Sequence, residues 1–325
     1  MGAPAAFGSL SLSPRARESV LDRETRDGFA VTAARGRFAP SPTGRLHFGS
    51  LVAALGSWLF ARHAGSGWIV RMEDLDRERE VQGCAEDILA TLDAFELVSD
   101  EVVVYQGRRT DRFAAALARL ERDGHAYRCW CSRADLEPHG GIHPPQCVAP
   151  PGDRAPAWRL RVHDHVIAFD DAIQGLHRQE LAREVGDFVI WRADGACAYQ
   201  LAVVVDDAAQ GIEQVVRGAD LLDSTPRQIL LQRLLGLPQP AYAHLPLALA
   251  ADGHKLSKHE AALPVDARDP LPPLRAALRF LGQPAPDCSN VRMLLSSAVQ
   301  AFDPRGIPRA AATPTAFAAA RNATP

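Results

Sequence analysis

The most constraining feature of the sequence is a strand that leads through a turn into a helix and then into a second strand. Residues 36–39 form a short strand-like segment, and the Pro-Ser-Pro-Thr-Gly sequence at 40–44 is typical of a turn. Ser50 can cap the following helix, in which apolar residues recur at helical spacing until glycines interrupt them. The apolar segment 68–72 predicts the next strand. This order of elements indicates a parallel, doubly wound α/β sheet.

Further elements follow from the same kind of pattern. The uninterrupted apolar run at 201–205 is typical of a strand that is covered on both faces. Asp206 and Asp207 follow this run. At that position they could bind a ribose or a magnesium ion, or they could cap a helix. The remaining expected elements are a strand at 159–169 and helices at 86–95, 110–124, 274–281 and 291–299.

The 325 residues divide into segments of different composition. Residues 1–34 carry many charges and no long apolar run, and we expect a flexible extension there. Residues 35–263 are predicted to form the main α/β domain, with a cysteine-containing insertion at about 125–157. Residues 264–302 predict a small helical part. Alanine, proline and threonine dominate residues 303–325, which predicts a disordered tail.

Charge and hydropathy exclude several kinds of protein. The formal net charge is −3, so no global basic field holds nucleic acid, and any RNA contact must use a local patch. The longest apolar stretch, residues 51–61, is far shorter than the roughly 18 residues of a membrane-spanning helix. We therefore expect a cytoplasmic protein that does not enter a membrane. The predicted RNA-binding face is rich in arginine and comprises Arg108, Arg109, Arg112, Arg119, Arg122, Arg128 and Arg133.

His47 and Gly49 stand at the start of the first predicted helix, where they suit a phosphate ligand. The N–H groups at a helix N-terminus are available to bind phosphate oxygens. Gly49 lets a flat base or a phosphate approach the backbone, and His47 can donate a hydrogen bond to a phosphate oxygen. Taken alone, His-x-Gly is more typical of an ordinary turn with a surface histidine.

Lys255 and Lys258 are the only lysines among 36 basic residues. Because the planar fork of arginine cannot replace a compact ammonium group everywhere, their retention points to a specific use. Two ammonium groups in a polar, Gly-containing loop can clamp a triphosphate and stabilise charge that develops at phosphorus. A solvated basic loop is the alternative.

Together these motifs resemble the class I aminoacyl-tRNA synthetases of the glutamyl type. Residues 47–50 (His-Phe-Gly-Ser) stand where that class has His-Ile-Gly-His, and residues 255–259 (Lys-Leu-Ser-Lys-His) stand where it has Lys-Met-Ser-Lys-Ser. Ser50, Leu256 and His259 are departures from those motifs. The resemblance is strongest to the glutamyl-queuosine tRNA(Asp) synthetases, free-standing relatives of the glutamyl-tRNA synthetase catalytic domain, in the segments 36–42, 71–74, 198–207 and 216–221.

This resemblance extends from about residue 36 to about residue 300. It implies a Rossmann-type parallel sheet with a zinc-binding insertion and a small C-terminal helical part. It also implies ATP-dependent activation of L-glutamate, with Mg²⁺ accompanying ATP, and transfer of glutamate to the queuosine base in the anticodon of tRNA(Asp). His47 and Lys258 would be catalytic. The ATP-binding residues would be His47, Gly49, Lys255 and Lys258.

Glutamate carries two carboxylates and one ammonium group, and the chain offers matching groups. Arg37 and Arg217 suit bidentate capture of a carboxylate. Tyr199 suits a hydrogen bond, and Glu73 suits the ammonium group. Taken singly, each is more typical of a structural salt bridge or a core tyrosine. The glutamate-contacting positions of the resembling family fall on these four residues and on Phe38, Ala39, Pro40 and Ser41.

The insertion has the residue spacing of a structural zinc site. Three thiolates and one imidazole suit tetrahedral zinc, and a closed set of four protein ligands is structural rather than catalytic. The resembling family has a Cys-x-Cys…Tyr-x-x-x-Cys site here, so His143 takes the tyrosine position. His125 and His139 are competing ligands, and a loop of free thiols is the alternative. The predicted ligands are Cys129, Cys131, His143 and Cys147.

Two other functions share part of this pattern. A short glutamyl-tRNA synthetase that charges the 3′ end of a tRNA would share every motif up to Lys258. It should also carry a large anticodon-binding domain, whereas only about 60 residues follow the lysine loop. A non-catalytic, zinc-stabilised RNA-binding module would not need His47 and Lys258. We therefore expect a monomeric enzyme whose partners are ATP, L-glutamate and queuosine-containing tRNA(Asp).

Overall fold

A computed structural model gives the fold of the chain and describes residues 35–249 and 265–310. The predicted extension 1–34 and the loop with Lys255 and Lys258 lie outside the described residues. Within the described ranges, no helix is long and apolar enough to cross a lipid bilayer.

The described residues form strands and helices in mixed order. The strands are β1 (Arg35–Phe38), β2 (Trp68–Met72), β3 (Val104–Tyr105), β4 (Ala126–Cys129), β5 (Ala157–Leu160), β6 (Val166–Asp171), β7 (Gly175–Glu180), β8 (Phe188–Trp191), β9 (Ile212–Gly218) and β10 (Ala241–Leu245). The helices are α1 (Phe48–His63), α2 (Cys84–Ala94), α3 (Thr110–Arg122), α4 (Arg133–Leu136), α5 (Leu181–Glu184), α6 (Tyr199–Ala209), α7 (Thr225–Leu235), α8 (Leu271–Phe280) and α9 (Val291–Ala301). Short 3₁₀ helices span Gln106–Arg108, Glu137–His139, Ala219–Ser224 and Pro304–Gly306.

The main sheet has seven strands in the order β3-β2-β1-β9-β10-β6-β7. All neighbouring pairs are parallel except β6 and β7, which form an antiparallel edge hairpin. The predicted parallel α/β sheet is therefore confirmed. The chain moves outward from β1 to β2 and β3, and later returns to the other side of β1 with β9. Ligands of such sheets bind beyond the carboxyl ends of the strands at this reversal.

Two apolar cores pack against the main sheet. Val215 and Val216 are neighbours in β9 but belong to different cores, because side chains alternate between the two faces of a strand. One core contains residues of α1, α2, α8 and α9, and the other contains residues of α3, α6 and α7. The sheet is therefore covered by helices on both faces, as parallel sheets require.

The apolar run at 201–205 lies in helix α6, so the prediction of a strand there is wrong. The helix packs against α3 and α7 and against β8 and β9. All five residues of the run are consequently buried. A helix that is buried on every side shows no apolar stripe, and a short apolar run cannot by itself distinguish it from a buried strand.

The predicted strand at 159–169 is two strands in different sheets. β5 ends at Leu160 and belongs to a three-stranded antiparallel sheet of order β4-β5-β8, whereas β6 begins at Val166 in the main sheet. The segment between them makes a turn in which His163 has a positive φ of 48°. The small sheet frames the cysteine-containing insertion. The four predicted helices correspond to α2, α3, α8 and α9, with ends that differ by at most three residues.

The folded chain extends beyond residue 302, where the sequence suggested a disordered tail. Phe302 and Ile307 are buried in the same core as α1. The approach of this segment depends on Gly282, whose φ is +67° and where a Cβ would lie 2.2 Å from the Gly306 carbonyl oxygen. Residues 303–310 therefore pack against the main unit.

Candidate active site and metal centre

A cavity of about 640 Å³ lies beyond the carboxyl ends of β1, β9 and β10. The turn after β1 and the first residues of α1 form one side, and the residues that follow β9 and β10 form the other. This is the place where the strand order predicts a ligand. Lining residues that the sequence singled out are Phe38, Pro40, Ser41, His47, Gly49 and Ser50.

His47 is the N-cap of α1, so the prediction that Ser50 caps this helix is wrong. The Ser50 N–H donates to His47 Nδ1 at 3.3 Å, and Ser50 Oγ lies 3.1 Å from His47 Nε2. A Cβ at Gly49 would lie 3.2 and 3.3 Å from two atoms of the imidazole ring. Glycine therefore allows the ring to fold back against the helix start, at the wall of the cavity.

The residues on both sides of the lysine loop also lie at this cavity. Ala248 lines it. Beyond the loop, the Val265 N–H donates to the carbonyl oxygen of Leu46 at 3.0 Å, and Leu46 lines the cavity next to His47. The last described residues before the loop and the first described residue after it are thus both close to this cavity. Lys255 and Lys258 belong to the segment between them, which lies outside the described residues.

Arg37 and Glu73 are joined by a buried network of charges. Arg37 donates from Nε and Nη2 to the two oxygens of Asp207, at 3.3 and 3.4 Å. Arg71 Nη2 lies 2.8 Å from Asp207 Oδ1 and 3.1 Å from Glu73 Oε1. The turn after β1 is attached to this network, because the Glu73 N–H donates to the Pro40 carbonyl oxygen at 2.9 Å.

The two carboxylates of this network have opposite pKa shifts. Burial alone would raise the pKa of Asp207, but the charges of Arg37 and Arg71 outweigh it and hold the pKa below its usual value. Burial raises the pKa of Glu73, although the same two arginines oppose this effect. Asp207 is therefore the firmly ionised partner, and Glu73 titrates closer to neutral pH.

Arg217 has a different environment, because its hydrogen-bond partners are neutral. Its Nη1 donates to the Tyr199 hydroxyl at 3.2 Å, and its Nη2 donates to Thr225 Oγ1 at 2.9 Å and to Gln228 Oε1 at 2.8 Å. Its Nε donates to His244 Nε2 at 3.1 Å. The residue is 6% exposed, and within the described ranges it forms no ion pair with a carboxylate. Arg217 is thus a buried cation that is suited to an anionic ligand.

Tyr199 connects Arg217 with the Arg37 network. Burial raises the pKa of its hydroxyl; the charges of Arg217 and Arg37 lower it, and those of Glu73 and Asp207 raise it. These four charged groups therefore all act on one tyrosine, and Arg217 contacts its hydroxyl directly. Phe38 follows Arg37 in β1 and Gly218 follows Arg217 in β9, and both line the cavity. The structure thus brings the four predicted glutamate-binding side chains close together. They are not lining residues of the cavity, but Arg37 and Arg217 are next in the chain to residues that line it.

Two acidic residues of this site were assigned another role from the sequence, and His244 was not identified from it. Asp206 and Asp207 are buried in α6, so the expectation that they bind ribose or magnesium or cap a helix is wrong. Asp206 instead accepts hydrogen bonds from Gln106 and Arg109, at 3.0 and 2.6 Å. The signal for their actual role is a pair of acids beside an apolar run in an arginine-rich chain, which suits buried pairing with arginines. For His244, no local signal exists.

The four predicted metal ligands come together in the insertion. One ligand atom from each of them lies within 4.8 Å of the others, and neither His125 nor His139 belongs to this group. Cys129, Cys131 and His143 are buried, whereas Cys147 is exposed. Such close spacing of three sulfur atoms and one imidazole nitrogen suits a tetrahedral metal ion.

Neighbouring groups orient these ligands. His143 Nδ1 lies 2.6 Å from the Pro144 carbonyl oxygen, so the ring donates there and leaves Nε2, 3.2 Å from Cys129 Sγ, free to bind a metal. Burial and the charge of Arg159 lower the pKa of His143, which keeps the imidazole neutral. The Arg159 Nε–H also donates to Cys129 Sγ at 3.3 Å, which holds this sulfur atom in place. The donor set therefore fits zinc.

The predicted arginine-rich face is only partly a free surface. Arg109 is bound to buried Asp206, so it cannot belong to that face. Arg108 and Arg128 are exposed and stack over the rings of Tyr105 and Trp158, both at 5.1 Å. The role of the other arginines of this set in RNA binding stays a prediction.

Comparisons with known proteins agree with this geometry. The family model of the class I tRNA synthetases (E and Q), catalytic domain, matches residues 33–143 and 153–286. A glutamyl-Q tRNA(Asp) synthetase of Xanthomonas campestris is 61% identical over 281 residues, which cover 85% of this chain and 94% of that protein. A protein of the same name from Burkholderia mallei is 52% identical over 295 residues, or 86% of this chain and 99% of that protein.

Solved structures extend the comparison to the fold. A glutamate tRNA ligase from Elizabethkingia meningosepticum, in complex with its amino acid, superposes with a TM-score of 0.74 at 26% identity. The match covers 87% of this chain and 67% of that one. The sheet with its insertion is thus the fold of a class I synthetase catalytic domain, and the chain belongs to the glutamyl-Q tRNA(Asp) synthetase family.

Proposed function

We propose that the chain activates L-glutamate with ATP to glutamyl-adenylate and transfers the glutamyl group to the queuosine base in the anticodon of tRNA(Asp). The names of the relatives support this activity. The structural observation that carries it is the environment of Arg217. A buried guanidinium without an ion pair is costly unless an anion joins it, and a carboxylate of glutamate supplies that anion.

The remaining glutamate contacts follow from charge. Arg37 keeps part of its guanidinium for a carboxylate after it has bound Asp207, and Tyr199 offers its hydroxyl beside Arg217. Glu73 attracts the ammonium group when it is ionised. The backbone and hydroxyl groups of the turn complete the proposed set, which adds Phe38, Ala39, Pro40 and Ser41.

ATP is proposed to occupy the cavity at the start of α1. His47, Gly49 and the two lysines of the loop would contact it, and Mg²⁺ accompanies its phosphates. In the first step an oxygen of the glutamate α-carboxylate forms a bond to the α-phosphorus, and the bond from that phosphorus to pyrophosphate breaks. His47 and Lys258 stabilise the negative charge that develops there.

In the second step a hydroxyl of the queuosine cyclopentenediol attacks the carbonyl carbon of glutamyl-adenylate. The new ester bond forms, AMP leaves, and the hydroxyl proton is released. Positioning of the two reactants supplies most of the rate enhancement when no dedicated base is present.

The metal centre is proposed to hold one zinc ion with a structural role. Cys129, Cys131, His143 and Cys147 would be its four ligands and would leave no position open for a substrate. Bound zinc would supply folding free energy to an insertion with a small apolar core of its own.

Pyrophosphate exchange tests the first step. The chain should exchange labelled pyrophosphate into ATP in the presence of L-glutamate and not of L-aspartate. A chain that folds but catalyses no exchange with any amino acid would instead support the non-catalytic RNA-binding module.

Labelled glutamate tests the acceptor and separates it from the short glutamyl-tRNA synthetase. We expect label in tRNA from cells that make queuosine, none in tRNA from cells that cannot, and no loss of label when the 3′-terminal adenosine has been removed. Equal labelling of both tRNA pools, or dependence on the terminal adenosine, would show charging of the 3′ end.

A further inference from the structure

Asp171 and His244 form a buried pair that contacts Arg217. Asp171 Oδ2 lies 2.6 Å from His244 Nδ1, and both side chains are 0% exposed. The Nε–H of Arg217 donates to His244 Nε2 at 3.1 Å. The three side chains therefore form a hydrogen-bonded chain that runs from β6 through β10 to β9.

The proton on the imidazole is fixed by its neighbours. Arg217 Nε can only donate, so His244 Nε2 accepts, and the ring hydrogen lies on Nδ1, from which it is donated to Asp171. Thr225 Oγ1 also lies 3.2 Å from Nε2, and its hydroxyl can donate to the same nitrogen. Burial lowers the pKa of His244, although Asp171 opposes this. Burial would raise the pKa of Asp171, but its hydrogen bonds hold the pKa below the usual value. The pair is thus a neutral imidazole and an ionised carboxylate.

We propose that His244, oriented by Asp171, is a positioning residue that holds Arg217 in place and leaves its charge for the substrate. This inference rests on the proposed role of Arg217 as the receptor of a glutamate carboxylate. A carboxylate in direct contact with Arg217 would neutralise the cation and repel the substrate carboxylate. A neutral imidazole supplies the same hydrogen-bond acceptor without a negative charge.

Asp171→Asn tests this inference without a change of shape. Asp171 Oδ1 accepts from three backbone N–H groups, those of Ile173, Gln174 and His244, at 3.0, 2.8 and 3.1 Å. These donors hold the amide oxygen of the new side chain at the Oδ1 position, so its NH₂ group faces His244 Nδ1. The imidazole must then accept at Nδ1 and carry its hydrogen on Nε2. The Nε2–H group of His244 and the Nε–H group of Arg217 would then face each other as two donors, and the hydrogen bond between these residues would be lost.

The kinetic readout is glutamate-dependent pyrophosphate exchange. We expect Asp171→Asn to raise the KM for glutamate by about tenfold or more, the range for loss of a hydrogen bond to a charged group, with little change in the KM for ATP. Asp170→Asn, an exposed change in the same strand, is the matched control and should leave both values unchanged. An unchanged glutamate KM in a folded Asp171→Asn protein, or equal rises in both KM values, would overturn the proposal.

The spectroscopic readout is ¹⁵N NMR of histidine-labelled protein, with the His244 signals assigned from their loss in His244→Gln. In the unchanged protein we expect a hydrogen on Nδ1 and a bare Nε2, and the reverse in Asp171→Asn. A hydrogen on Nε2 in the unchanged protein refutes the proposal even if Asp171→Asn does not fold. Absence of glutamate-dependent exchange in the unchanged protein would instead refute the proposed function, so the two failures are distinguishable.

Discussion

Asp207 binds the Arg37 guanidinium with both carboxylate oxygens and thereby ties the first strand of the sheet to helix α6. The two distances are 3.3 and 3.4 Å, and the side chains are 7% and 3% exposed. Arg71 shares Asp207 Oδ1 at 2.8 Å. The Asp207 carboxylate therefore fixes Arg37, one of the two arginines proposed to bind glutamate. Because Arg71 also contacts Glu73, the same carboxylate helps to fix the position of Glu73.

Asp207→Asn should destabilise the fold by about 3–5 kcal/mol, because it leaves two buried guanidinium groups without their shared counter-charge. The stabilisation that Asp207 provides is present above its unfolded pKa and is lost as the pH falls through its lowered folded pKa. The difference in the free energy of unfolding between the unchanged protein and Asp207→Asn should therefore be largest at pH 7 and become smaller in acid. Urea unfolding at several pH values measures it. Asp93→Asn, an exposed change on α2, is the control, and equal free energies of unfolding for the two variants would contradict the prediction.

Arg217→Lys should raise the KM for glutamate by roughly 10- to 100-fold, since an ammonium group cannot keep the fork of hydrogen bonds to its neighbours and also bind a carboxylate. The KM for ATP should change little. Arg279→Lys, an exposed change on α8, is the control in the same exchange assay. If ATP and glutamate were affected alike, Arg217 would serve the fold and not the amino acid.

Glu73 should make glutamate binding sensitive to acid. Burial raises its pKa, so protonation removes its charge at a higher pH than for an ordinary glutamate side chain. Because the protonated form no longer attracts an ammonium group, the KM for glutamate should rise as the pH falls through this raised pKa. In Glu73→Gln the KM should be high and lack this acid-dependent rise. The same pH profile in both proteins would remove Glu73 from the ammonium site.

How far the sequence predicts this protein depends on whether the information is local. The strand, turn and helix around His47 follow from residue spacing, and the four metal ligands lie within a short segment. The glutamate-binding set came from charge matching together with a family resemblance. Helix α6 was missed because burial on every side removes the periodic signal. Asp171 and His244 are 73 residues apart, and only the pairing of β6 with β10 brings them together.

Gly186 should be required for the metal centre. Its φ is +67°, and a Cβ there would lie 2.5 Å from the His143 carbonyl oxygen and 2.7 Å from Ile142 Cγ2. Gly141, which lies inside the insertion, has φ +78°, but a Cβ at that position would meet no atom of the described residues within 4 Å. Alanine at either position carries the strain of a left-handed backbone, and only Gly186→Ala adds a collision, worth roughly 1–3 kcal/mol. Thermal unfolding should show the larger loss for Gly186→Ala, and equal losses would argue against the close contact.

His143→Ala should weaken zinc binding, because it removes the one nitrogen ligand of the four and leaves three thiolates. Elemental analysis of the purified chain should find about one zinc per molecule, and a chelator should remove it faster from the variant. His139→Ala is the matched control, since His139 lies in the same insertion but outside the ligand cluster. Removal of zinc should lower the melting temperature of the insertion, because metal binding and folding of this segment are coupled. A folded, active preparation without metal would refute the zinc site, and equal zinc loss from both variants would refute His143 as a ligand.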